Sequence, residues 1–136
     1  MDFRIAVSSF IVKDNKLLLI KRTSDNKHFA NAWEIPGGRL EIGEDPIQGA
    51  KREAKEETGI DVEVLHPLSV KHFVREDGQT ITKLNFLCRA LSNDIKLSEE
   101  HAGFEWVPIE KCKEKLIPQY HHLVDTFNKL ELKKLL

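Results

Sequence analysis

Apolar and polar residues alternate from the start of the chain, with Phe3, Ile5 and Val7 on odd positions and Phe10 and Val12 on even ones. Such alternation predicts a strand over 3–13, and the switch of parity predicts a change of register near Ser8 and Ser9. Asp14 and Asn15 read as a turn. The run Leu17-Leu18-Leu19-Ile20 has no polar position, as expected of a central strand covered on both faces. Residues 23–32 are polar and aperiodic and read as a loop. Asp45 is a good N-cap, Pro46 suits the first helical position, Gln48 can complete a capping box and Gly59 can stop a helix in a left-handed conformation. These signals predict a helix over Pro46–Thr58 with Ile47, Ala50 and Ala54 on its core face.

A second β region begins at Val62-Glu63-Val64-Leu65, and residues 70–75 and 80–90 flank a hairpin signal at 76–79. Residues 91–101 are polar and acidic, and 104–107 read as a last short strand. Pro108 opens a short helix through Cys112. Pro118 opens a final one, with Tyr120, Leu123, Phe127 and Leu130 at helical spacing. Strands, a helix, more strands and a terminal helix predict an α/β fold, a mixed sheet covered on both faces, in one domain over 1–136.

Composition narrows the partners. Lys and Arg number 21 against 22 Asp and Glu, a net charge of −1. That balance argues against a nucleic-acid coat or a membrane-surface protein, so no stable nucleic-acid partner and no membrane are expected. No apolar run approaches the ~20 residues that span a bilayer, and Met1-Asp2-Phe3-Arg4 lacks the apolar core of a signal peptide. Cys88 and Cys112 form no Cys-x-x-Cys or zinc spacing, so a reduced, cytoplasmic protein is expected.

The predicted helix carries the candidate chemistry. Glu53, Glu56 and Glu57 stand at i, i+3 and i+4 and share a face, and Arg52 stands four residues before Glu56. Three acids so placed repel one another. A solvated acidic face is one reading; a hard divalent ion, Mg²⁺ or Mn²⁺, held by their oxygens is the other. The surrounding stretch favours the ion. Gly38, Glu44, Arg52-Glu53, Ala54, Glu56-Glu57, Gly59 and Ile60 fit a spaced pattern over residues 38–60 that resembles the Nudix box. Trp33-Glu34-Ile35-Pro36-Gly37-Gly38 resembles the usual approach to that box.

The resemblance implies the Nudix fold, an α/β/α sandwich with a central mixed β-sheet and the box as a loop–helix–loop. It implies hydrolysis of a nucleoside diphosphate linked to another group, by attack of metal-activated water at phosphorus. Phosphoanhydrides need charge neutralisation, an aligned water and a good leaving group, which a metal–carboxylate cluster supplies. Carried over by position, Glu53, Glu56 and Glu57 are metal ligands, joined by the carbonyl of Gly37 or Gly38. Arg52 orients the carboxylates through Glu56, and Glu44 ties the loop to the helix or touches the metal. Gly38 and Gly59 meet backbone requirements. For the catalytic base, Glu53 is one candidate and a loop acid is the other, with Glu100 preferred over Glu99. His101 reads as a surface or capping residue, with a proton relay as its alternative, and His28, His72, His121 and His122 as structural.

The substrate is less marked. Phe29, Phe73, Phe86, Tyr120 and Phe127 could stack on a base but fit a core as well. Lys21, Arg22 and Arg75 could contact phosphates. The Pro and Tyr that mark the ADP-ribose and dinucleoside-polyphosphate branches past the box are missing, since Pro67 is too near and Tyr120 too far, and no coenzyme A signature stands upstream. By elimination the chain resembles the MutT-like branch, which converts a nucleoside triphosphate to the monophosphate and pyrophosphate. ADP-ribose, a nucleotide sugar or a capped RNA end is the alternative substrate, and a non-hydrolysing nucleotide-binding module the rival of another class. A homodimer fits the size and the family.

Overall fold

A strand apolar at every position needs cover on two sides, and the middle of this sheet has it. In the structure, a computed structural model that describes residues 3–136, strand β1 (Phe3–Lys13) and strand β2 (Lys16–Arg22) form a hairpin. Its turn residues Asp14 and Asn15 have φ of 49° and 62°, the paired positive values that a two-residue hairpin favours. Leu17 and Leu19 join Phe10 and Val12 in one core, while Leu18 and Ile20 join Val7 and Ile11 in another.

Five further strands complete the sheet: β3 (Trp33–Glu34), β4 (Gly37–Arg39), β5 (Val62–Val74), β6 (Thr80–Ala90) and β7 (His101–Pro108). The order is β3-β2-β1-β6-β5, with β4 beside β1 and β7 beside β2. β1 and β6 run parallel and the other pairs antiparallel, so the sheet is mixed. Helix α1 (Pro46–Thr58) covers one face through Ala50 and Ala54, and helix α2 (His121–Lys129) covers the other through Leu123, Val124 and Phe127. Tight 3₁₀ turns, Ile109–Glu114 and Pro118–Tyr120, lead into α2. The result is the α/β/α sandwich.

Four local expectations are corrected. The register of β1 on β6 runs unbroken from Phe3↔Thr80 to Val12↔Arg89. What changes near Ser8 and Ser9 is the neighbour on the other side, β4 before and β2 after. Both faces are covered there, so parity no longer reports burial. The two serines are buried, with Ser8 donating to Asn85 Oδ1 and Ser9 to the Ala50 carbonyl. Ile47 is 44% exposed, because α1 meets the sheet only from Gly49 onward. Residues 62–65 and 70–74 belong to one strand, whose bulges at Val64/His66 and Pro67/Ser69 let it continue past Pro67. Leu130 lies beyond the end of α2 and is 53% exposed.

Candidate active site

The site begins with how α1 is held. Asp45 Oδ1 accepts the N–H groups of Ile47 at 2.7 Å and Gln48 at 3.2 Å. At the other end Gly59 takes φ 78° and donates to the Lys55 carbonyl. A Cβ there would sit 3.0 Å from the backbone nitrogen of Lys96, so both the turn and the close approach need glycine. Held at both ends, α1 presents Glu53, Glu56 and Glu57 to a cleft of about 700 Å³ whose other walls are β4 and residues 98–100. β4 passes so close that a Cβ on Gly38 would lie 2.6 Å from the Glu53 carboxylate. The Gly37 N–H donates to Glu57 Oε1 at 2.6 Å.

Arg52 organises the near side of the cleft. Its Nε and Nη2 grip both oxygens of Glu44 at 2.7 and 2.8 Å. Nη1 reaches Glu53 at 3.0 Å and Glu56 at 3.2 Å, and Nη2 also donates to the Arg39 carbonyl. Arg52, with help from the Glu41 N–H, holds Glu44 down at a pKa of about 2. The bidentate grip makes Glu44 the tie between loop and helix. Glu53 is pushed up, first by burial. Glu57, only 7% exposed, is pushed up to about 8 by burial, with Glu34, Glu53 and Glu100 adding repulsion.

Behind the cleft runs a buried polar line. β2, β3 and β7 lie side by side, and their ends bring together Arg22, Glu34 and His101. Arg22 Nη1 donates to Glu34 Oε2 at 2.9 Å, and the same oxygen lies 2.8 Å from His101 Nε2. His101 Nδ1 and Ser98 Oγ are buried without hydrogen-bond partners. Glu57, Glu100 and His101 bring one donor atom each within 4.8 Å of one another. A buried carboxylate, Glu57, crowded by Glu34, Glu53 and Glu100, beside the unpartnered His101 Nδ1 and Ser98 Oγ, is a donor set suited to a divalent cation.

Comparison with known proteins gives this geometry a setting. The family model of the NUDIX domain matches residues 2–127. The chain belongs to the Nudix family. Among its Nudix relatives is a MutT-like protein of Streptomyces ambofaciens, 32% identical over 116 residues that cover 85% of this chain and 71% of that protein. An ADP-ribose pyrophosphatase of Methanocaldococcus jannaschii is 31% identical over 123 residues, 85% of this chain and 72% of that protein. Other relatives are longer: the chain spans 37% of Nudix hydrolase 5 of Arabidopsis thaliana, at 32% identity over 113 residues, 79% of this chain. Among solved structures, a MutT Nudix hydrolase from Burkholderia pseudomallei superposes with a TM-score of 0.80 at 25% identity, covering 93% of this chain and 98% of that one.

Within the Nudix frame, the cleft gathers Gly37, Gly38, Arg52, Glu53, Glu56, Glu57, Glu99 and Glu100, while Glu44 stands behind Arg52 and Gly59 at the end of the helix. Glu56 and Glu100 are exposed, and Glu57 is buried. His101 is the main correction. It is neither a surface nor a capping residue, because its side chain is 0% exposed and points between Glu34 and Glu57. Arg22 and Arg75 are occupied by Glu34 and Asp77 rather than free for phosphate. Phe86, Tyr120 and Phe127 are buried, and Phe29 is exposed. Glu34 is the site residue that sequence reasoning misses. An acid between Trp33 and Ile35, in an otherwise apolar approach to the glycines, is the available signal.

Proposed function

We propose that this Nudix chain hydrolyses a phosphoanhydride bond of a nucleoside diphosphate linked to another group, with a nucleoside triphosphate as substrate and the monophosphate and pyrophosphate as products. The observation that carries the proposal is the convergence of Glu53, Glu56, Glu57 and Glu100 on one cleft, with Glu57 held at a pKa of about 8. Glu53, Glu56 and Glu57, with the Gly38 carbonyl beside them, would hold Mg²⁺ or Mn²⁺, which when bound neutralises phosphate oxygens and lowers the pKa of a coordinated water.

The chain's own residues do the rest. Arg52 braces Glu53 against the Glu44 loop, and the Gly37 N–H fixes one oxygen of Glu57. Glu100 stands exposed on the facing wall, where its carboxylate can accept the proton of the attacking water, with Glu53 the alternative base. No helix among the described residues is long and apolar enough to cross a membrane. Both cysteines are buried thiols, which suits the reducing cytoplasm we assign to the chain.

Likeness to the MutT-like relative supports a nucleoside triphosphate. Likeness to the ADP-ribose pyrophosphatase of Methanocaldococcus jannaschii supports a second reading, ADP-ribose, at nearly the same identity. Turnover of a nucleotide panel with and without Mg²⁺ separates them. Pyrophosphate released with a monophosphate is expected, whereas AMP with ribose phosphate from ADP-ribose would favour the second reading. If no pyrophosphate-linked nucleotide is cut, or if Glu56→Gln and Glu57→Gln both turn over normally, the proposal fails.

A further inference from the structure

The buried line behind the cleft has no part in the reaction as proposed. Glu34 is paired with Arg22 and acts as an acceptor, so the hydrogen between it and His101 sits on Nε2. Nδ1 then faces the other way. The carboxylate it meets there is that of Glu57, with Oε2 at 3.7 Å. That is too long for a hydrogen bond, and Nδ1 is buried without a partner on a side chain that solvent does not reach. A bare buried ring nitrogen is costly, and an ion is one of the few things that can satisfy it.

The separation matches that answer. Around an octahedral ion with ligands at ~2.1 Å, neighbouring donors lie ~3.0 Å apart and opposite donors ~4.2 Å. The gap between Nδ1 and Oε2 falls between these limits. Glu100 adds a third donor atom within 4.8 Å of the other two, and as an exposed side chain it can close the remaining distance. A histidine that ligates a metal commonly gives its second N–H to a carboxylate that orients it. His101 on Glu34, with Glu34 held by Arg22, has that arrangement.

We propose that His101 is a metal ligand through Nδ1, forming with Glu57 and Glu100 a nitrogen–oxygen site at the inner end of the cleft, and that this site takes a first-row transition ion such as Mn²⁺ in preference to Mg²⁺. The inference rests on the metal-dependent reading above and goes beyond it in both ligand and ion. Mg²⁺ favours an all-oxygen shell, whereas imidazole suits the transition ions. Glu34 and Arg22 are positioning residues that set the tautomer and the tilt of the ring.

Pulsed EPR of the protein loaded with one equivalent of Mn²⁺ tests this directly. A nitrogen hyperfine coupling is expected, one that changes on ¹⁵N-histidine labelling and is lost in His101→Phe. Should that variant fail to fold, Glu34→Ala keeps the ring and removes its anchor. Its Mn²⁺ affinity is expected to fall ~10- to 100-fold, with Glu34→Gln recovering most of the loss. Mg²⁺ is expected to displace Mn²⁺ only in excess of ~10-fold. Mn²⁺ bound without nitrogen coupling, coupling that survives His101→Phe, or displacement by equimolar Mg²⁺ would overturn this inference and leave the hydrolase reading standing. Failure to take up either ion would overturn the metal-dependent reading itself.

Discussion

Glu57 accepts the Gly37 N–H yet keeps a pKa of about 8, because burial and the repulsion of Glu34, Glu53 and Glu100 outweigh that one donor. Its folded value lies above the unfolded 4.5. Its stabilising contribution is therefore complete below the unfolded value and is lost as pH rises through about 8. Glutamine mimics the protonated acid. At pH 8.5 and without metal, Glu57→Gln is expected to melt several degrees above the parent, since a tenfold difference in proton affinity between folded and unfolded chain is worth ~1.4 kcal/mol. At pH 4.5 the two should melt alike, and turnover should be lost throughout. Melting curves at the two pH values check the sign, and a variant less stable at pH 8.5 would refute it. His122 works in the opposite sense. Ser8 donates to Asn85, Asn85 to Ser69 at 2.9 Å, and Ser69 lies 3.2 Å from His122 Nε2. His122 Nδ1 reaches the Gln119 carbonyl at 3.1 Å. A carbonyl only accepts, so Nδ1 carries the hydrogen, Nε2 accepts from Ser69, and the chain requires a neutral ring. Burial, followed by the charges of Lys71 and Lys83, pushes the His122 pKa below 6.5. That stability is present above pH 6.5 and is lost as pH falls through the lowered value. His122→Gln is expected to flatten the decline of denaturation midpoints between pH 7 and pH 5, and an unchanged slope would exclude His122 as its source.

Helix α1 shows why some elements are legible in the sequence and others not. Its bounds can be read because its punctuation is local: Asp45 and Pro46 at one end, Gly59 at the other, each acting on backbone within a turn. Ile47 is misplaced by its spacing, which tells which residues share a face but not how far along the helix the sheet extends. β5 reads as separate pieces because Pro67 argues against a strand unless bulges absorb it, and bulges are set by the partner strand. The helix stop also allows a comparison of two glycines with left-handed backbone. Gly59 and Gly43 have φ of 78° and 81°, but a Cβ at Gly59 would meet Lys96 at 3.0 Å whereas one at Gly43 meets nothing within 4 Å. Gly43→Ala should cost ~1 kcal/mol for the backbone alone. Gly59→Ala should cost clearly more, and it should lower kcat because it shifts the turn that carries Glu56 and Glu57. Equal destabilisation of the two variants in urea melts would mean that the contact with Lys96 contributes nothing.

At the scale of the whole molecule, the site joins segments far apart in sequence. Residues 37 and 38 are placed by pairing with β1, residues 52–57 by packing of α1 on the same strand, and residues 98–101 by β7 lying against β2. The carboxylates of the box can be read because they fall within one short stretch. The pairing of His101 with Glu34 cannot, because 67 positions separate them and only the β3-β2-β7 order brings them together. A cation held between such walls ties them to one another, so its binding should feed into global stability. An ion at a hundred times its dissociation constant adds ~2.7 kcal/mol if it binds only the folded chain. That gain should depend on pH. Below about 8 Glu57 holds a proton that the ion must displace, at a cost of ~1.4 kcal/mol, or tenfold in apparent affinity, per pH unit. A fixed millimolar concentration of Mn²⁺ is therefore expected to raise Tm far more at pH 8 than at pH 6, with release of protons measurable in unbuffered solution. In Glu57→Gln both the rise and its pH dependence should shrink together. An equal rise at the two pH values, or one that survives Glu57→Gln, would place the ion outside this cleft.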